Sequence, residues 1–440
     1  MKVPNTPSAK FANWLIIAVL CAVPFHAFLT VWGSTLLGHY TLLRLWDDTL
    51  LSVLVTVCAW WLVRDAEMRS WLAESLLARL VVAYAGLTLL LGAVSLARGD
   101  VSARALAYGV LVNLRFLLWF LAVLLAARCA PLLIGHWRRL LLVPAAVVIV
   151  FAALQYTVLP HDFLSHFGYH TAITIAPIET INHNDSYIRV QSTLRGANPL
   201  GAYLVIVLAA LALLAWRDTA RRLLWIGFGA AGLLALYASG SRSAWIGAAL
   251  AGAILAWRLA KTRQGRMITG VAGLAILALS AGAYLVLRHN TTVQNALLHT
   301  QDHSTVTTSS NSAHVSALMG GVREVLHQPL GDGPGTAGPA STYNTKQPAR
   351  VAEDYYVQVA QETGWLGLAL LLSIFALVAL ELWQRSKSSG LALVLFAAFI
   401  GLAFVNLLSH AWADDTLAFV WWGFAAIALA QMPKPKQGRE

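Results

Sequence analysis

The sequence carries too little charge to cover the surface of a water-soluble globular protein. Only 12% of its 440 residues are charged, whereas 58% are hydrophobic. A chain with this composition places its apolar side chains in a bilayer rather than against water. The composition therefore indicates a polytopic membrane protein.

Three further shortages exclude other classes of protein. The only cysteines, Cys21, Cys58 and Cys129, lie in or beside apolar runs, so no disulfide framework supports the loops. Lys and Arg outnumber Asp and Glu by 31 to 20, but no basic stripe with interleaved aromatics is present, which argues against nucleic-acid binding. Since no P-loop, dinucleotide glycine fingerprint, HExxH or Asp-x-Asp motif occurs, the sequence predicts neither a cofactor nor a metal site.

Twelve apolar runs are candidates for spanning helices. They are residues 12–33, 49–63, 80–97, 105–127, 140–159, 199–216, 223–239, 243–257, 267–287, 361–382, 390–409 and 416–431. A span needs about 20 apolar residues, and the second, eighth and twelfth runs are short, which allows ten to twelve spans. The predicted fold is all-α, a polytopic transmembrane helical bundle of about 12 spans.

The distribution of basic residues orients the chain. Most Lys and Arg lie at the inner ends of the runs if the N-terminus is cytoplasmic, so the positive-inside rule predicts that both termini are cytoplasmic. Spans one to nine then occupy residues 1–287 with a periplasmic loop at 160–198, a large periplasmic loop follows at 288–360, and residues 361–440 hold the last three spans and a cytoplasmic tail. Most histidines lie in the two outer loops, so we expect the chemistry on the outer face.

The large outer loop is predicted to contain a short amphipathic helix at residues 311–328. Apolar residues recur there with helical spacing, at Val315, Leu318, Met319, Val322, Val325 and Leu326. Such a helix lies on the bilayer surface as a lid or packs against the spans. The sequence leaves both alternatives open.

The segment Arg189–Tyr203 combines two arginines with a helix start. Asn198 is a suitable N-cap, and Pro199 suits the first helical turn. The free N–H groups of a helix N-terminus and the guanidinium groups of Arg189 and Arg195 together form an anion site. The alternative is a capped helix whose arginines contact lipid headgroups.

A second arginine pattern lies in Ser239–Trp245, at the turn between the seventh and eighth runs. Arg242 stands at the outer membrane boundary with almost no loop around it. Such a cation either reaches phosphate headgroups or faces an internal cavity. The neighbouring serines favour the cavity.

Carboxylates and tyrosines follow in Arg350–Gly364, before the tenth run. A carboxylate at a membrane boundary needs a cationic partner, so Glu353 or Asp354 is expected to meet Arg189, Arg242 or Arg350. The alternative is that Glu353 is an acidic residue in the first turn of the helix, where its negative charge interacts favourably with the helix dipole. Glu362 is expected to tie this helix to a neighbour.

Arg115 lies inside the fourth run, where an unpaired charge is costly. The acidic pairs Asp47-Asp48 and Asp414-Asp415, at the outer ends of other runs, are its candidate partners. The alternative is that these acids belong to an interfacial belt together with the tryptophans nearby.

Four segments, in this order, resemble motifs of the O-antigen ligase and polymerase superfamily of bacterial inner-membrane glycosyltransferases. They are the arginine and Gly/Asn/Pro helix start of residues 189–203, the Ser-Arg turn of 240–247, the His-Gln-Pro-Leu-Gly-Asp-Gly-Pro-Gly element of 327–335 and the segment 353–367. The resemblance therefore covers about residues 189–367.

The resemblance implies a multi-pass inner-membrane protein that takes a glycan from undecaprenyl pyrophosphate on the periplasmic face. The acceptor would be a hydroxyl of a growing lipid-linked polysaccharide or of the lipid A core, and neither ATP nor another cofactor would be needed. Arg189 and Arg242 would grip the pyrophosphate, and Glu353 would act as general base. The further candidates, for substrate binding, are Arg195, Asn198, Arg115, Arg350, Asp354, Tyr356 and His327.

The sequence departs from the family at the expected base. Ligases of the superfamily usually have His-Asn-x-x-Leu where this chain has Glu353-Asp-Tyr-Tyr-Val357, which favours a polymerase slightly over a ligase. A membrane transporter or flippase for an anionic lipid-linked glycan is the alternative, because it also needs an arginine-lined cavity; internal repeats or broken helices would favour it. A structural scaffold is a third reading.

Overall fold

The structure, a computed structural model, describes most of the chain. The described residues are 6–129, 132–181, 184–260, 262–267, 270–271, 285–287, 290, 310–351 and 354–430. Glu353 and most of the ninth predicted run, 267–287, lie outside them.

Helices make up most of the described chain. They are α1 (Pro7–Ala22), α2 (His26–Leu37), α3 (Tyr40–Leu43), α4 (Trp46–Arg64), α5 (Ala66–Glu74), α6 (Leu76–Arg98), α7 (Ala103–Cys129), α8 (Leu132–Thr157), α9 (Ala197–Arg217), α10 (Arg222–Ala238), α11 (Arg242–Leu259), α12 (Ser310–His327), α13 (Tyr355–Arg385), α14 (Gly390–Val405) and α15 (Asp415–Ala430). Short 3₁₀ turns occupy Val23–Phe25, Phe163–Phe167, Gly338–Tyr343 and Ala411–Ala413.

Among the described residues, seven helical segments are long and apolar enough to cross a membrane. They are Pro7–Leu37, Trp46–Arg64, Leu76–Arg98, Ala103–Cys129, Leu133–Thr157, Ala197–Arg217 and Tyr355–Arg385. The helices α10, α11, α14 and α15 overlap the remaining predicted runs that fall on described residues. The prediction of a helical polytopic membrane protein is thus confirmed.

The centre of the bundle is formed by α7, α9 and α15. Every residue of α15 is buried, and the indole N–H of Trp119 on α7 donates a 2.8 Å hydrogen bond to the Phe419 carbonyl. At a second contact, α11 and α14 approach so closely that a Cβ on Gly247 would lie 2.9 Å from the Gly401 carbonyl oxygen. Small residues permit this backbone contact, as is common between membrane helices.

The helix α13 is interrupted at Gly364, where φ is 66° and ψ is −171°. The backbone N–H of Trp365 therefore bonds to the Pro329 carbonyl rather than within the helix, and the Asp332 N–H donates to the Gln361 carbonyl. Only glycine adopts this conformation readily. The helix α13 consequently consists of two helical pieces, and nearly all of the tenth predicted run lies in the second piece, while the segment that contains Pro329 and Asp332 is docked into the break.

Glu362 joins the same junction to α7. Its carboxylate is buried and accepts hydrogen bonds of 2.7 Å from the Asn113 side chain and from the Gly335 N–H. This agrees with its expected structural role.

The predicted amphipathic helix is α12, and it packs against α13. Val325 is buried in this contact, whereas Val315, Met319, Val322 and Leu326 of the predicted apolar stripe are exposed. The contact with α13 therefore uses a narrower face than the sequence pattern suggested.

A two-stranded antiparallel hairpin interrupts the all-α architecture and was not predicted. Strands β1 (Glu179–Ile181) and β2 (Asn184–Arg189) pair so that Glu179 lies opposite Arg189. The hairpin lies between α8 and α9, and its last residue is an arginine of the candidate site.

Candidate functional site

Within the described part of the chain, two cavities open at the end of the bundle that carries the hairpin, residues 328–351 and the loop between α14 and α15. The first, here called the arginine cavity, has a volume of about 510 Å³ and is lined by Arg189, Tyr237, Gly240, Trp245 and other residues. The second, here called the histidine cavity, has a volume of about 390 Å³, and its wall includes the polar residues Tyr108, Arg195, Asn198, Ser409, His410 and Asp414. Both are lined by predicted site residues.

Arg189 is held in a fixed position by three contacts. Its Nε donates a 2.8 Å hydrogen bond to the Ser239 carbonyl, its Nη2 donates a 2.6 Å bond to Asn198 Oδ1, and Glu179 Oε2 lies 3.9 Å from Nη1. Burial lowers the pKa of Arg189, and the Glu179 carboxylate opposes that shift. A guanidinium held in this way at the wall of a cavity is preorganised, and it needs little rearrangement to meet an anion there.

Arg242 begins α11 immediately beyond the turn that Arg189 contacts. A Cβ on Gly240, which has φ of +59°, would lie 3.2 Å from Arg189 Nε. Arg189 also exerts a Coulombic effect on Arg242. The structure thus brings these two predicted residues together, and two neighbouring guanidinium groups are a favourable setting for a dianion.

The start of α9 differs from the prediction that Asn198 caps it. The helix begins at Ala197, whose N–H donates to the Glu179 carboxylate at 3.2 and 3.3 Å. The Glu179 side chain on β1 therefore accepts a hydrogen bond from a backbone N–H at the start of the helix, a role that was predicted for Asn198. The Asn198 side chain instead accepts the hydrogen bond from Arg189. The N-cap prediction was therefore wrong, although Asn198 belongs to the site.

Arg189 and Arg195 are connected by a short, well-anchored segment. Ser192 has a φ of +53°, unusual for a residue other than glycine, and its hydroxyl donates to the Val148 carbonyl at 2.8 Å. Thr193 donates to the Pro24 carbonyl, also at 2.8 Å. A backbone held in a strained conformation by neighbouring helices fixes the spacing of the two arginines.

Arg195 is exposed to the histidine cavity although it lies deep in the protein. Burial alone acts to lower its pKa, but Asp414 and Tyr108 raise it, and the net direction is upward. Arg195 therefore remains a cation that faces an enclosed space.

His410 lies on the same cavity wall, in the loop between α14 and α15. Burial, together with the Arg195 cation, lowers its pKa to about 4. Its Nε2 is buried and has no hydrogen-bond partner within the described part of the chain. Burial raises the pKa of the neighbouring Asp414, which Arg195 opposes.

Four other predicted residues lie away from both cavities. Arg350 donates to Asp332 Oδ2 at 2.9 Å and to the Thr336 carbonyl at 3.1 Å, and so holds the 332–338 loop together. Tyr356 donates to the Ala403 carbonyl on α14 at 3.2 Å. The exposed His327 is hydrogen bonded within α12, to the Arg323 carbonyl.

Asp354, which was one of two candidates, with Glu353, to meet an arginine, is the fourth of these residues. It is instead buried as the N-cap of α13 and accepts a 2.9 Å hydrogen bond from the Val357 N–H. Among the described residues, no ion pair joins it to Arg189, Arg242 or Arg350. Its capping role accounts for the burial, and the position of Glu353 lies outside the described residues.

Arg115 belongs to a buried ion network rather than to a cavity wall. It pairs with Asp415 and donates to the Ala413 carbonyl at 2.7 Å, so one of the two expected acidic pairs does supply its partner. His26 lies 3.4 Å from Asp415 through Nε2 and 3.4 Å from Asp47 through Nδ1. The two carboxylates flank the imidazole and lie beside a guanidinium, an arrangement that suits ion pairing better than binding of a metal cation.

An apolar groove of about 640 Å³ runs between α9, α10 and α11. Leu208, Gly229 and Leu233 lie on its walls, and Tyr237 and Trp245 line both this groove and the arginine cavity. The two spaces therefore meet at these aromatic residues, with polar groups at one end and hydrocarbon at the other.

Sequence reasoning missed the contribution of the loop between α14 and α15 to the site. Asp414 was considered only as part of an acidic pair for Arg115, and the sequence positions of His410 and Asp414 gave no sign that they share a cavity wall with Arg195. Arg44 was also missed; it donates a 2.7 Å hydrogen bond to the Tyr108 hydroxyl at the rim of this cavity. A search for ionisable residues at all outer ends of the runs would have found them.

Residues 228–372 of the chain match a family model described as O-Antigen ligase. The matched segment runs from α10 into α13 and includes Arg242, whereas Arg189, Arg195 and His410 lie outside it. The match confirms the resemblance to the O-antigen ligase superfamily and suggests an enzyme of ligase type. A comparison with curated proteins found no match.

Proposed function

We propose that this membrane protein, similar to O-antigen ligases, transfers a glycan from undecaprenyl pyrophosphate to an acceptor hydroxyl. The acceptor is a growing lipid-linked polysaccharide or the lipid A core, and the reaction takes place on the periplasmic face of the bacterial inner membrane. Both termini are cytoplasmic in this proposal, and the energy comes from the leaving undecaprenyl pyrophosphate.

The observation that carries the proposal is the junction between the arginine cavity and the apolar groove. A polyprenyl pyrophosphate has a dianionic head and a long hydrocarbon tail, which need a cationic pocket and an apolar channel in direct contact. Arg189 lines the cationic pocket and lies close enough to Arg242 to exert a Coulombic effect on it, while Tyr237 and Trp245 line both the pocket and the groove. Neither the arginine cavity nor the apolar groove would identify a lipid-linked donor by itself.

The chemical role of the arginines follows from where charge develops. As the anomeric C–O bond breaks, negative charge grows on the leaving pyrophosphate oxygen, and preorganised guanidinium groups stabilise that charge. Arg189 is held by Ser239 and Asn198, so little reorganisation is needed during the reaction. In this proposal Arg189 and Arg242 are the clamp, with Arg195 and Asn198 beside it.

Purified full-length protein, incubated with a synthetic undecaprenyl pyrophosphate oligosaccharide with and without an acceptor, tests this function. Mass spectrometry should detect a new glycosidic product and free undecaprenyl pyrophosphate. Arg189→Ala and Arg242→Ala should each lower kcat by about 100-fold or more, the usual loss for a preorganised charge-stabilising donor. Transfer at the wild-type rate by both variants would refute the assignment.

One observation favours a lipid-linked glycan transporter or flippase as a second candidate. Helices broken within the membrane are typical of transporters, and α13 is interrupted at Gly364. However, the remaining piece up to Arg385 still has the length of a full span, which is about 20 residues, so the break lies at the helix end. Movement of a fluorescent lipid-linked glycan across proteoliposomes, without a new glycosidic bond, would decide for transport.

A further inference from the structure

The histidine cavity contains a residue that the clamp does not use. His410 shares its wall with Arg195 and Asn198, and Asn198 is the residue that accepts the hydrogen bond of Arg189. Asn198 therefore connects the cavity wall that contains His410 to the Arg189 guanidinium.

The His410 side chain is an uncharged imidazole whose Nε2 can accept a proton. Its Nε2 is buried without a hydrogen-bond partner among the described residues, and the ring is neutral at physiological pH because burial and the Arg195 cation lower its pKa to about 4. A buried polar atom with no partner is uncommon in folded proteins. A substrate hydroxyl would supply the missing partner.

We infer that His410 is the general base that deprotonates the acceptor hydroxyl; this inference rests on the proposed transfer. The hydroxyl proton passes to the imidazole as the acceptor oxygen bonds to the anomeric carbon. The bond from that carbon to the pyrophosphate oxygen breaks, and its electron pair leaves with undecaprenyl pyrophosphate. The imidazolium then releases its proton to water.

The neighbouring cation couples donor binding to the strength of this base. When no donor is bound, the Arg195 cation disfavours protonation of His410, because two positive charges would then lie on the same wall of the histidine cavity. A pyrophosphate bound beside Arg195 offsets that positive charge, so the imidazole becomes more basic once the donor is present. The enzyme would then activate an acceptor only when a donor is available.

The other carboxylates at this end are less suited to the role. Asp354 is occupied as the cap of α13, and Asp414 accepts the Leu417 N–H at 3.1 Å while Arg195 lies beside it. Glu353, the base suggested by the sequence, is the remaining competitor and is included in the test.

The decisive experiment compares His410→Gln with Glu353→Gln in the full-length protein, using undecaprenyl pyrophosphate oligosaccharide as donor and, in parallel reactions, the same lipid or the lipid A core as acceptor. Loss of a general base lowers kcat by about 100-fold or more, and the donor KM should stay within about threefold because the clamp is intact. His166→Gln serves as the matched control, since this exposed histidine lies on the Phe163–Phe167 turn. Added imidazole should restore part of the activity to His410→Ala.

The outcomes separate the base from the function itself. A large fall in kcat for His410→Gln alone, with imidazole rescue, supports the inference. Wild-type turnover by His410→Gln, or a loss confined to Glu353→Gln, overturns it while transfer by the wild type upholds the proposed function. A loss with lowered thermal stability and no imidazole rescue also overturns it, because His410 would then be structural. If the wild type makes no product, the proposed function fails.

Discussion

Asn198 Oδ1 accepts a 2.6 Å hydrogen bond from Arg189 Nη2, and the same residue lines the cavity that contains Arg195 and His410. This one amide therefore links the two spaces that we assign to donor and acceptor. It also lies in the first turn of α9, a rigid and largely buried helix. The position of the Arg189 guanidinium is thus set by the core of the bundle.

Asn198→Ala should weaken transfer without unfolding the protein. Removal of a hydrogen bond to a charged group costs about 1.5–3 kcal/mol, which predicts a fall of roughly 10- to 100-fold in kcat/KM. Steady-state kinetics with the synthetic donor measure the effect. Asn184→Ala on β2 is the control, because its Oδ1 bonds only locally, to the Ser186 N–H among the described contacts. Equal losses in both variants would contradict the linking role.

Gly240→Ala should displace Arg189 while leaving every charge in place. The new methyl group would lie 3.2 Å from Arg189 Nε, and the residue has a φ of +59°. Gly99→Ala is the matched control: it has a φ of +77° but nothing within 4 Å of the added methyl group. Both variants carry a backbone cost of about 1–2 kcal/mol, whereas only Gly240→Ala should reduce transfer, by about tenfold. Similar activities would show that the contact with Arg189 does not matter.

The helical architecture could be predicted from the sequence because bilayer thickness dictates the length of apolar runs. Residues 105–127 and 199–216, for example, fall inside α7 and α9 almost end to end. The break at Gly364 could not be predicted in this way, since it depends on hydrogen bonds to a loop some thirty positions earlier, at Pro329. Local propensity contains no information about such docking.

The candidate site was only partly predictable for a related reason. Arg189 and Arg242 could be recognised from the sequence as candidate site residues, because a cation at a membrane boundary needs a polar environment or an anionic partner. The cap of α9 was misassigned because Glu179, a residue from a short hairpin, reaches the helix N-terminus first. His410 could be recognised as a candidate only from its position on the same cavity wall as Arg195. That position depends on the packing of α15 in the centre of the bundle, which the sequence does not reveal.

Arg115→Leu is expected to destabilise the protein strongly. The substitution leaves Asp415 buried without its guanidinium partner, beside His26 and Asp47. Removal of one member of a buried ion pair costs about 3–5 kcal/mol. Thermal unfolding in detergent should show a clear loss of stability. Arg98→Leu disrupts a surface pair with Asp100 at 3.0 Å and should have little effect, because such pairs contribute little. An unchanged melting temperature for Arg115→Leu would show that the network is dispensable.

The apolar groove makes a separate prediction about the donor tail. Gly227 and Gly229 both lie on α10 with open space where a Cβ would be, but only Gly229 lines the groove. A leucine at Gly229 would occupy room otherwise available to about two methylene groups, each worth about 0.8 kcal/mol when buried. The donor KM should therefore rise about tenfold for Gly229→Leu.

The length of the prenyl chain separates an effect on tail binding from an effect on the head group. A donor with a short prenyl chain does not extend along the groove, so Gly229→Leu should leave its KM unchanged, and Gly227→Leu should affect neither donor. The kcat values should stay constant, because the clamp at Arg189 is untouched. If both donors lose affinity equally, the substitution acts on the head-group site, and the groove between α9, α10 and α11 is not where the polyprenyl chain binds.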